Sequence, residues 1–314
     1  MLADWDDLRI FLAVARGESL SAAGRVLKLD AATVGRRVAR LEAAFGARLF
    51  TRSPQGYQLT DEGGRLLAHA QSVEAAMTRA RDALAGPGEG IQGQIRVGAP
   101  DGCANYLLPQ VVAAICAENP GLEVQIVALP RVFNLTRREA DMVIAVSPPE
   151  SGRVLVQKIS DYRLHLAASD DYLANAPPLA APGDLHRHRV VGYIPDMIFD
   201  RELDYLSELG VEAPVLASNS VSVQLQLIRQ GAGIGVVHDF ALPATPGVRR
   251  VLTDDFALTR AFHLVRHADD RGVVRQNRFA ASLLSGLRAE IVRLEAAVRG
   301  VQLPGRPPVA EAKA

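Results

Sequence analysis

The chain has 314 residues, which is long enough for two or three domains that each bury a hydrophobic core. Lys and Arg number 35, and so do Asp and Glu, so the formal net charge is zero and a basic surface has to be a local concentration. Although 48% of the residues are apolar, no uninterrupted apolar run is long enough to cross a membrane. The acidic start MLADWDD lacks the features of a signal peptide, so we expect a soluble cytoplasmic protein.

The two cysteines of the chain are Cys103 and Cys116. Their number and spacing indicate neither a metal site nor a disulfide framework, so buried thiols are expected. Because Cys103 falls in a loop that is predicted to line a pocket, redox sensing stays open as an alternative for it.

Three helices are predicted at the N-terminus. The first covers residues 6–17 and has an apolar stripe of Leu8, Phe11, Leu12 and Ala15, with Gly17 at its end. Residues 19–50 then indicate two short helices with a break at Lys28-Leu29-Asp30. Ser19 caps the earlier one, whose apolar face is Ala22, Ala23, Val26 and Leu27. Asp30 caps the later one, whose buried stripe is Val34, Val38, Leu41 and Phe45.

The later helix begins with small residues and continues with arginines that lie off its buried stripe. The small residues are Ala31, Ala32, Thr33 and Gly35, and the arginines are Arg36, Arg37 and Arg40. Such a front suits a helix that enters the major groove of DNA. Seven basic residues against two acidic ones between Arg25 and Arg52 concentrate positive charge here. A helical bundle with solvated arginines is the alternative, because Arg is a strong helix former.

Residues 51–59 predict a small β-hairpin, a wing, with its turn at Pro54-Gln55-Gly56. Arg52 at the base of this hairpin would reach DNA phosphates or the adjacent minor groove. The alternative is an ordinary surface arginine.

Five sequence blocks, in this order and spacing, resemble the N-terminal winged helix-turn-helix of the LysR-type transcriptional regulators. The blocks lie within residues 4–63 and are Leu8–Ala15, Ser19–Ala23, Arg36–Glu42, Leu49–Arg52 and Leu59–Gly63. The rest of the chain fits this family in length and layout. The resemblance implies a sequence-specific DNA-binding regulator without a cofactor, dimeric or tetrameric, that answers to a small organic effector and has RNA polymerase as a possible partner.

The resemblance also implies which residues contact DNA. Ser21 and the basic residues would bind phosphates, and the leading face of the later helix would read bases. The family often has Gln or Ser where this chain has Ala31, Ala32 and Gly35. Base readout would therefore rely on Thr33, Arg36, Arg37 and DNA shape.

A long helix is predicted to start after its N-cap, Thr60. Its apolar residues follow a heptad pattern, which favours a two-helix dimer seam: Leu66, Ala70, Val73, Met77, Ala80 and Leu84. A helix that lies on its own domain is the alternative. Residues 86–90, rich in Gly and Pro, then predict a linker.

From residue 92 onward, strands and helices alternate, which predicts a mostly parallel sheet covered by helices. The predicted strands lie near residues 95–97, 122–128, 142–146, 155–159, 164–168, 190–193, 215–217 and 234–237. The predicted helices lie near 106–117, 135–140, 200–209, 220–230 and 273–299. Within the family resemblance this part is two α/β lobes similar to periplasmic solute-binding proteins, joined by strands that cross near 164–168 and 264–267.

The predicted organisation has four parts. They are a winged helix-turn-helix domain (1–63), a dimerisation helix with a hinge (64–88), a two-lobed effector domain (89–302) and a disordered tail (303–314). Lobe I covers about 89–163 and 267–302, and lobe II about 164–266.

Ligands of open α/β folds bind beyond the carboxyl ends of the strands. The residues that this rule selects are Pro100, Asp101, Gly102, Cys103, Asn105, Ser147, Tyr193, Ser218, Asn219 and Ser220. The helix that starts near Ser220 favours an effector carboxylate at its N-terminus. That Ser218 and Ser220 only cap this helix stays open.

No P-loop, zinc-protease helix or Gly-x-Ser-x-Gly elbow occurs, so the sequence indicates neither an enzyme nor a metal site. Gly231–Gly235 follows a predicted helix, so we interpret it as a helix C-cap with close packing. His186 and His188 are expected in a solvent-exposed loop. Two alternatives for the whole chain remain. One is an α/β binding or enzymatic domain with a basic interaction module, and the other is a DNA-binding regulator without an effector.

Overall fold

The computed structural model describes residues 4–53, 56–84, 90–128, 140–149 and 152–300. They form two compact units. The first contains the described residues up to 84 together with His267–Asn277, and the second contains the other described residues from Gly90 onward. All but the last residue of the predicted linker (86–90), all but the last residue of the predicted helix (135–140) and the whole predicted tail (303–314) lie outside the described residues. Within the described ranges, no helix is long and apolar enough to cross a membrane.

Three helices open the first unit: α1 (Trp5–Gly17), α2 (Leu20–Leu27) and α3 (Ala31–Phe45). Asp4, Ser19 and Asp30 each cap one of them by accepting a hydrogen bond from a backbone N–H of the first turn. The predicted caps Ser19 and Asp30 are therefore confirmed. The wing follows as β1 (Phe50–Ser53) and β2 (Gly56–Leu59), paired antiparallel with Phe50 opposite Leu59.

The core of the first unit is formed by apolar side chains of all these elements, including Ile10, Phe11 and Val34 at 0% exposure. Two residues that were predicted on buried stripes are instead exposed, Val26 at 79% and Phe45 at 48%. The face of α2 that meets the core is centred on Ala23 and Leu27, which turns Val26 outward. Phe45 is the last residue of α3, where the helix ends at its C-cap Gly46.

Helix α4 (Asp61–Leu84) starts where Thr60 accepts a hydrogen bond from the N–H of Gly63 at 3.0 Å, as predicted for an N-cap. Its first half packs on the first unit through Leu67 and Ala70, which are 4% and 0% exposed. Gly63 has no room for a side chain, because a Cβ there would lie 2.1 Å from the carbonyl oxygen of Leu49. The N-terminal half of α4 is thus part of the folded domain.

The second unit contains a mixed sheet in the order β4-β3-β5-β11-β6-β9-β7-β8, with β10 paired to β6. The strands are β3 (Gly93–Ala99), β4 (Leu122–Ala128), β5 (Met142–Ala145), β6 (Val154–Ser169), β7 (Val190–Gly192), β8 (Leu216–Ala217), β9 (Ile234–His238), β10 (Val248–Arg250) and β11 (Leu258–His267). The pairs β3/β4, β3/β5, β7/β8 and β7/β9 are parallel. The pairs that involve β6 with β9 or β10, and β11 with β5, are antiparallel.

This order divides the second unit into two α/β lobes. Lobe I carries β3, β4 and β5, and lobe II carries β7, β8 and β9, while the neighbouring strands β6 and β11 run between them. The predicted fold of two α/β lobes is confirmed, but the sheet is mixed rather than mostly parallel, because β6 and β11 pair antiparallel with β9 and β5 as they run between the lobes. The two strands predicted at 155–159 and 164–168 are one strand, β6, because the chain stays extended across Ser160–Arg163 as it passes between the lobes.

The helices of the second unit are α5 (Asp101–Tyr106), α6 (Leu108–Glu118), α7 (Asp170–Asn175), α8 (Val221–Arg229) and, from Arg278 onward, α9 (Val274–Val298). The helix predicted at 106–117 is preceded by α5, and the two are separated at Leu107. The helix predicted at 200–209 is wrong. Only two short 3-10 turns form there, since the side chains of Asp200 and Asp204 bind the nearby N–H groups of Glu202 and Ser207.

Candidate functional sites

The front of α3 presents small side chains and one exposed arginine. The carboxylate of Asp30 accepts hydrogen bonds from the N–H and the hydroxyl of Thr33, both at 2.7 Å. The guanidinium of Arg36 then donates to the Thr33 hydroxyl at 2.8 Å. Ser21, Ala32 and Arg36 are exposed, whereas Ala31, Thr33 and Gly35 are partly buried. A narrow surface with a single long cation results.

Arg37 and Arg40 serve a different purpose in the structure, because both bind Asp7 of α1. Asp7 is 2% exposed, and it accepts hydrogen bonds from Arg37 Nε at 2.5 Å and from Arg40 Nη2 at 2.6 Å. Burial raises the pKa of Asp7, but the hydrogen bonds from Arg40 and Arg37 outweigh it and hold that pKa below its ordinary value. These arginines therefore fasten α3 to α1. Their role in DNA contact stays a prediction.

The wing is held by aromatic contacts. Phe50 packs against Phe11 with 5.2 Å between ring centroids and meets the edge of Tyr57 at 6.0 Å. Arg52 is exposed, and its guanidinium lies 5.4 Å from the centroid of the Tyr57 ring. Gly56 has a φ of +125°, and a Cβ there would lie 2.3 Å from the carbonyl oxygen of Glu18. Glycine is thus required where the wing approaches α1.

The predicted dimer seam on α4 is divided. Ala70 is buried in the core of its own unit and Leu66 is partly buried there, whereas Val73 and Met77 are 41% and 47% exposed and Ala80 is also exposed. The side chain of Leu84 lies outside the described residues. Between these two parts, Glu74 binds the guanidinium of Arg16 at 2.6 and 3.0 Å. An apolar strip is therefore left uncovered only along the later turns.

In the second unit, a direct contact joins the two lobes beside the predicted effector residues. The carboxylate of Asp101, at the start of α5, accepts hydrogen bonds from the hydroxyl of Ser220 at 3.0 Å and from the N–H and hydroxyl of Ser222 at 2.9 and 2.8 Å. Its other oxygen accepts from the amide of Asn105 at 3.1 Å. Sequence reasoning selected Asp101, Asn105 and Ser220 but missed Ser222, although its position in the first turn of α8 was a usable signal.

The other predicted effector residues near this contact lie around the starts of α5 and α8. Gly102 has Val221 and His238 around it, with a Cβ position 3.1 Å from the Val221 side chain. The Ser218 hydroxyl accepts from the N–H of Ser220 at 3.1 Å. Pro100 precedes α5 and Asn219 precedes the cap of α8, both partly buried.

Ser147 makes a second contact between the lobes. Its hydroxyl donates to the carboxylate of Asp200, a residue that sequence reasoning did not select. Asp200 also caps the 3-10 turn at Arg201–Leu203. Two contacts therefore join the lobes, one at Asp101 and one at Ser147.

An aromatic cluster lies where β6 and β11 run side by side. The rings of Tyr162 on β6 and Phe262 on β11 stack with 4.2 Å between centroids, and His238 stacks on Tyr162 at 5.4 Å. Burial raises the pKa of Tyr162 and lowers the pKa of His238 to about 4, so both rings are neutral at neutral pH. Tyr205 meets His238 and Tyr193 edge-on, which connects this cluster to the predicted site residue Tyr193.

A cavity of about 270 Å³ lies within lobe II. Apolar residues such as Val191 and Leu206 line it together with polar ones, which are Tyr193, Asp204, Tyr205, Glu212 and Gln224. Tyr193 is the one residue of the predicted effector set in this wall. Such a volume suits a small organic molecule.

Neither cysteine has the surroundings of a reactive thiol. Cys103 is 0% exposed, and burial raises the pKa of its thiol, which is the opposite of what a redox-sensing thiolate needs. Cys116 is only partly buried, and both are free thiols. The expectation of a buried thiol is confirmed for Cys103.

His188 was expected in solvent but is 8% exposed, because its ring lies against Tyr172 and its Nδ1 is 3.2 Å from the Tyr172 hydroxyl. His186 is exposed as expected. In the described ranges, no group of three His, Cys, Asp or Glu side chains can hold a metal ion. The glycines after α8 pack closely, since a Cβ at Gly233 would lie 2.3 Å from the carbonyl oxygen of Arg189.

Two family models match the chain. The one described as the LysR substrate binding domain covers residues 88–288, and the one described as a bacterial regulatory helix-turn-helix protein of the lysR family covers residues 5–64. The transcriptional regulator PtxR of Pseudomonas aeruginosa is 28% identical over 242 residues, which is 74% of this chain and 76% of that protein. A probable hydrogen peroxide-inducible genes activator of Mycobacterium avium is 28% identical over 81% of this chain and 83% of its own length.

Solved structures share the fold at low identity. Full-length OxyR of Pseudomonas aeruginosa has a TM-score of 0.70 at 20% identity and covers 91% of this chain and 98% of its own. LysG of Corynebacterium glutamicum, solved with its effector Arg bound, has a TM-score of 0.60 at 17% identity and covers 90% of this chain and 98% of its own.

Proposed function

Since the chain belongs to the LysR-type transcriptional regulators, DNA-binding proteins with an effector-binding domain, we propose how its own residues carry out this function. The front of α3 enters the major groove of the operator, the wing follows the backbone, and two copies pair through α4. A small organic effector binds in the second unit and shifts the arrangement of its lobes. The protein acts in the cytoplasm, where it also contacts RNA polymerase.

The exposed front of α3 is the observation that carries the DNA-binding part. Ala32 and Ser21 leave room for close approach to the bases and phosphates, and Arg36 is the long exposed cation on this face. Arg36 is pre-oriented by Thr33, which reduces the entropy lost when it forms a bidentate contact with guanine. Arg52 on the wing supplies a phosphate contact.

Pairing through α4 is supported by its uncovered strip. Val73 and Met77 follow the heptad spacing and stay largely exposed in one chain. A second copy of this helix would bury both, and two α3 helices would then be available for the two half-sites of a palindromic operator. Ala70 is already used by the first unit, so the seam is shorter than the sequence pattern predicts.

The effector is best accommodated by the cavity in lobe II. Its apolar residues would bury the body of a small molecule, while Tyr193, Gln224 and the acidic residues Asp204 and Glu212 carry polar groups that fix its orientation. Because Tyr193 contacts Tyr205, and Tyr205 contacts His238 near the crossing strands, an occupant here is connected by packed rings to the place where the lobes join.

The DNA-binding proposal is tested by selecting bound duplexes from a random pool and then measuring affinity for the selected site at two salt concentrations. We expect a site with two related halves and an affinity that falls steeply with salt. Arg52→Ala should weaken binding to all sequences and flatten the salt dependence, whereas Arg65→Ala on α4 should change neither. No enriched sequence would contradict the proposal.

A regulator without an effector is the second candidate. It is favoured by the direct contacts of Asp101 and Ser147, through which the chain's own side chains join the lobes. A thermal-shift screen of small organic molecules separates the two candidates. Stabilisation that is lost in Val211→Phe, a change that fills the cavity wall, supports the effector.

A further inference from the structure

The segment that builds most of the wall of the lobe II cavity is acidic. Residues 195–214 contain six acidic residues and one basic residue, in a chain whose net charge is zero. This segment leaves the end of β7 and returns to β8, where the N–H of Val215 donates to the carbonyl of Val190 at 3.0 Å. Gly192, the last residue of β7, also lines the cavity. The cavity therefore lies at the carboxyl end of a parallel strand, against a strongly negative segment.

Three acidic side chains of this segment are already bound. The carboxylate of Asp200 accepts a hydroxyl from lobe I. Glu202 and Glu208 bind the guanidinium of Arg260 at 2.8 and 3.1 Å. Arg260 is the cation that acts on Tyr205 in the cavity wall. Because two carboxylates compensate its charge, Arg260 does not neutralise the acidic residues of the wall.

Asp204 and Glu212 are the acidic residues in the wall itself. One oxygen of Asp204 accepts from the N–H of Ser207 at 3.3 Å. Within the described ranges, neither its second oxygen nor the side chain of Glu212 forms a hydrogen bond or an ion pair. The described residues of the wall include no Lys, Arg or His. The negative charge of the wall is therefore uncompensated, and a positively charged occupant would balance it.

The other polar groups of the wall also suit a cation that donates hydrogen bonds. Gln224 is 3% exposed, and its amide nitrogen donates to the carbonyl of Ser218 at 2.7 Å, which leaves its oxygen as an acceptor. Tyr205 is 4% exposed, and its hydroxyl forms no hydrogen bond of ordinary geometry in the described part of the chain. The rings of Tyr193 and Tyr205 meet edge-on at 5.8 Å, and aromatic faces attract ammonium groups. A buried hydroxyl without a partner is unusual and indicates a position for a ligand group.

We propose that the lobe II cavity binds a small organic cation, an amine with an apolar body, whose ammonium group is held by Asp204 and Glu212. A volume of about 270 Å³ accommodates roughly nine non-hydrogen atoms at about 30 Å³ each. The apolar part of the wall favours an organic cation over a metal ion. This proposal rests on the proposed function for the existence of an effector in this cavity. It replaces the effector carboxylate expected near Ser220, a residue outside this wall.

The test compares molecules that match in size but differ in charge. Benzylamine and benzyl alcohol form one pair, and butylamine and butanol form another. At pH 7 both amines carry a proton, as a lysine side chain does. Apparent affinities for the full-length protein come from thermal-shift series at constant ionic strength. We expect the wild type to bind each amine roughly tenfold more tightly than its alcohol, because hydrogen bonds to charged groups are the stronger ones. Val211→Phe, which fills the wall, should abolish both responses.

Neutral variants of the two acidic residues locate the preference. Asp204→Asn and Glu212→Gln should each reduce the ratio of amine to alcohol affinity, and the double variant should bring it close to one. Asp196→Asn is the matched control, because Asp196 is exposed in the same segment but lies outside the wall, and it should leave the ratio unchanged. Glu212 is exposed, so its variant keeps the test decisive if loss of the Asp204 cap impairs folding.

The outcomes separate this proposal from the proposed function. Equal binding of amine and alcohol, both lost in Val211→Phe, overturns the preference for a cation and leaves the cavity as the effector site. A wild type that binds none of the four molecules contradicts both. An amine preference that persists in the double variant, or equal stabilisation by calcium chloride, also overturns the proposal. Operator affinity of the wild type is measured without any amine, so failure of DNA binding counts only against the proposed function.

Discussion

Asp7 and Arg40, which lie 33 positions apart, form a two-point ion pair in which Nε and Nη2 of the arginine donate to the two carboxylate oxygens at 2.5 and 2.6 Å. Arg37 joins the same carboxylate and also reaches Asp6 at 2.6 Å. The helix that is proposed to enter DNA is thereby fixed to α1 by its own arginines. Along α3, Arg37 and Arg40 therefore stabilise the fold, whereas Arg36 is exposed and is the arginine proposed to contact DNA.

Asp7→Asn should therefore destabilise the protein. Removing the charge leaves two arginines without their shared partner and weakens their hydrogen bonds to it, at a cost of about 1.5–3 kcal/mol. Because the folded pKa of Asp7 is lowered, its stabilisation is complete above its ordinary pKa of about 3.9 and is lost as the pH falls through the folded value. Urea unfolding at pH 7 and at about pH 2, below the ordinary pKa of a carboxyl group, measures both effects. Asp6→Asn, at a 41% exposed site, is the control and should cost much less.

Arg36→Ala should weaken operator binding without affecting folding. Loss of a bidentate base contact costs about 1–3 kcal/mol, or roughly ten- to a hundredfold in affinity, and relaxes the preference at one base pair. Fluorescence anisotropy with the selected operator and with single-base variants of it measures this change. Arg37→Ala is the comparison variant. It should lower the melting temperature because Arg37 binds Asp7, whereas Arg36→Ala should leave the melting temperature unchanged. An unchanged affinity in Arg36→Ala would remove this residue from the interface.

Val73→Asp should dissociate the dimer. The seam would place two new charges against each other in an apolar contact, and desolvation opposes this. Sedimentation at micromolar concentration should show a dimer or tetramer for the wild type and a monomer for the variant. Ala68→Asp introduces the same charge on an exposed position of α4 outside the heptad stripe, and should leave the assembly intact. A monomeric wild type would contradict pairing through α4.

The buried ring of His238 should make the second unit sensitive to acid. Its folded pKa is about 4, well below the ordinary value of about 6.5, so between these values only the unfolded chain takes up a proton. Stability therefore falls as the pH decreases from about 6.5 to 4, by up to about 3 kcal/mol. His238→Phe keeps the stack on Tyr162 and should flatten this dependence. The exposed His186→Asn should leave it unchanged, and NMR titration of the imidazoles checks the pKa directly.

The short-range features of this protein were predictable from its sequence. Ser19, Asp30 and Thr60 cap helices through N–H groups only a few residues away, and the same holds for Ser220 at α8. The wing, the α/β alternation and the family resemblance likewise depend on spacing within short segments. Each of these signals involves residues within about one helical turn or one hairpin, so it can be recognised from the sequence without knowledge of the fold.

The long-range contacts were decided only by the tertiary structure. Asp7 binds Arg40, and Asp101 binds Ser222 across 121 positions. Packing brings these elements together, and no local sequence pattern predicts which elements pack against each other. The same reason explains why α4 is partly buried at Ala70, and why β6 remains one strand through Ser160–Arg163. A carboxylate at the start of a helix looks the same in sequence whether it faces solvent or fills the N-terminus of another helix. Only the fold distinguishes the two, through the position of its partner.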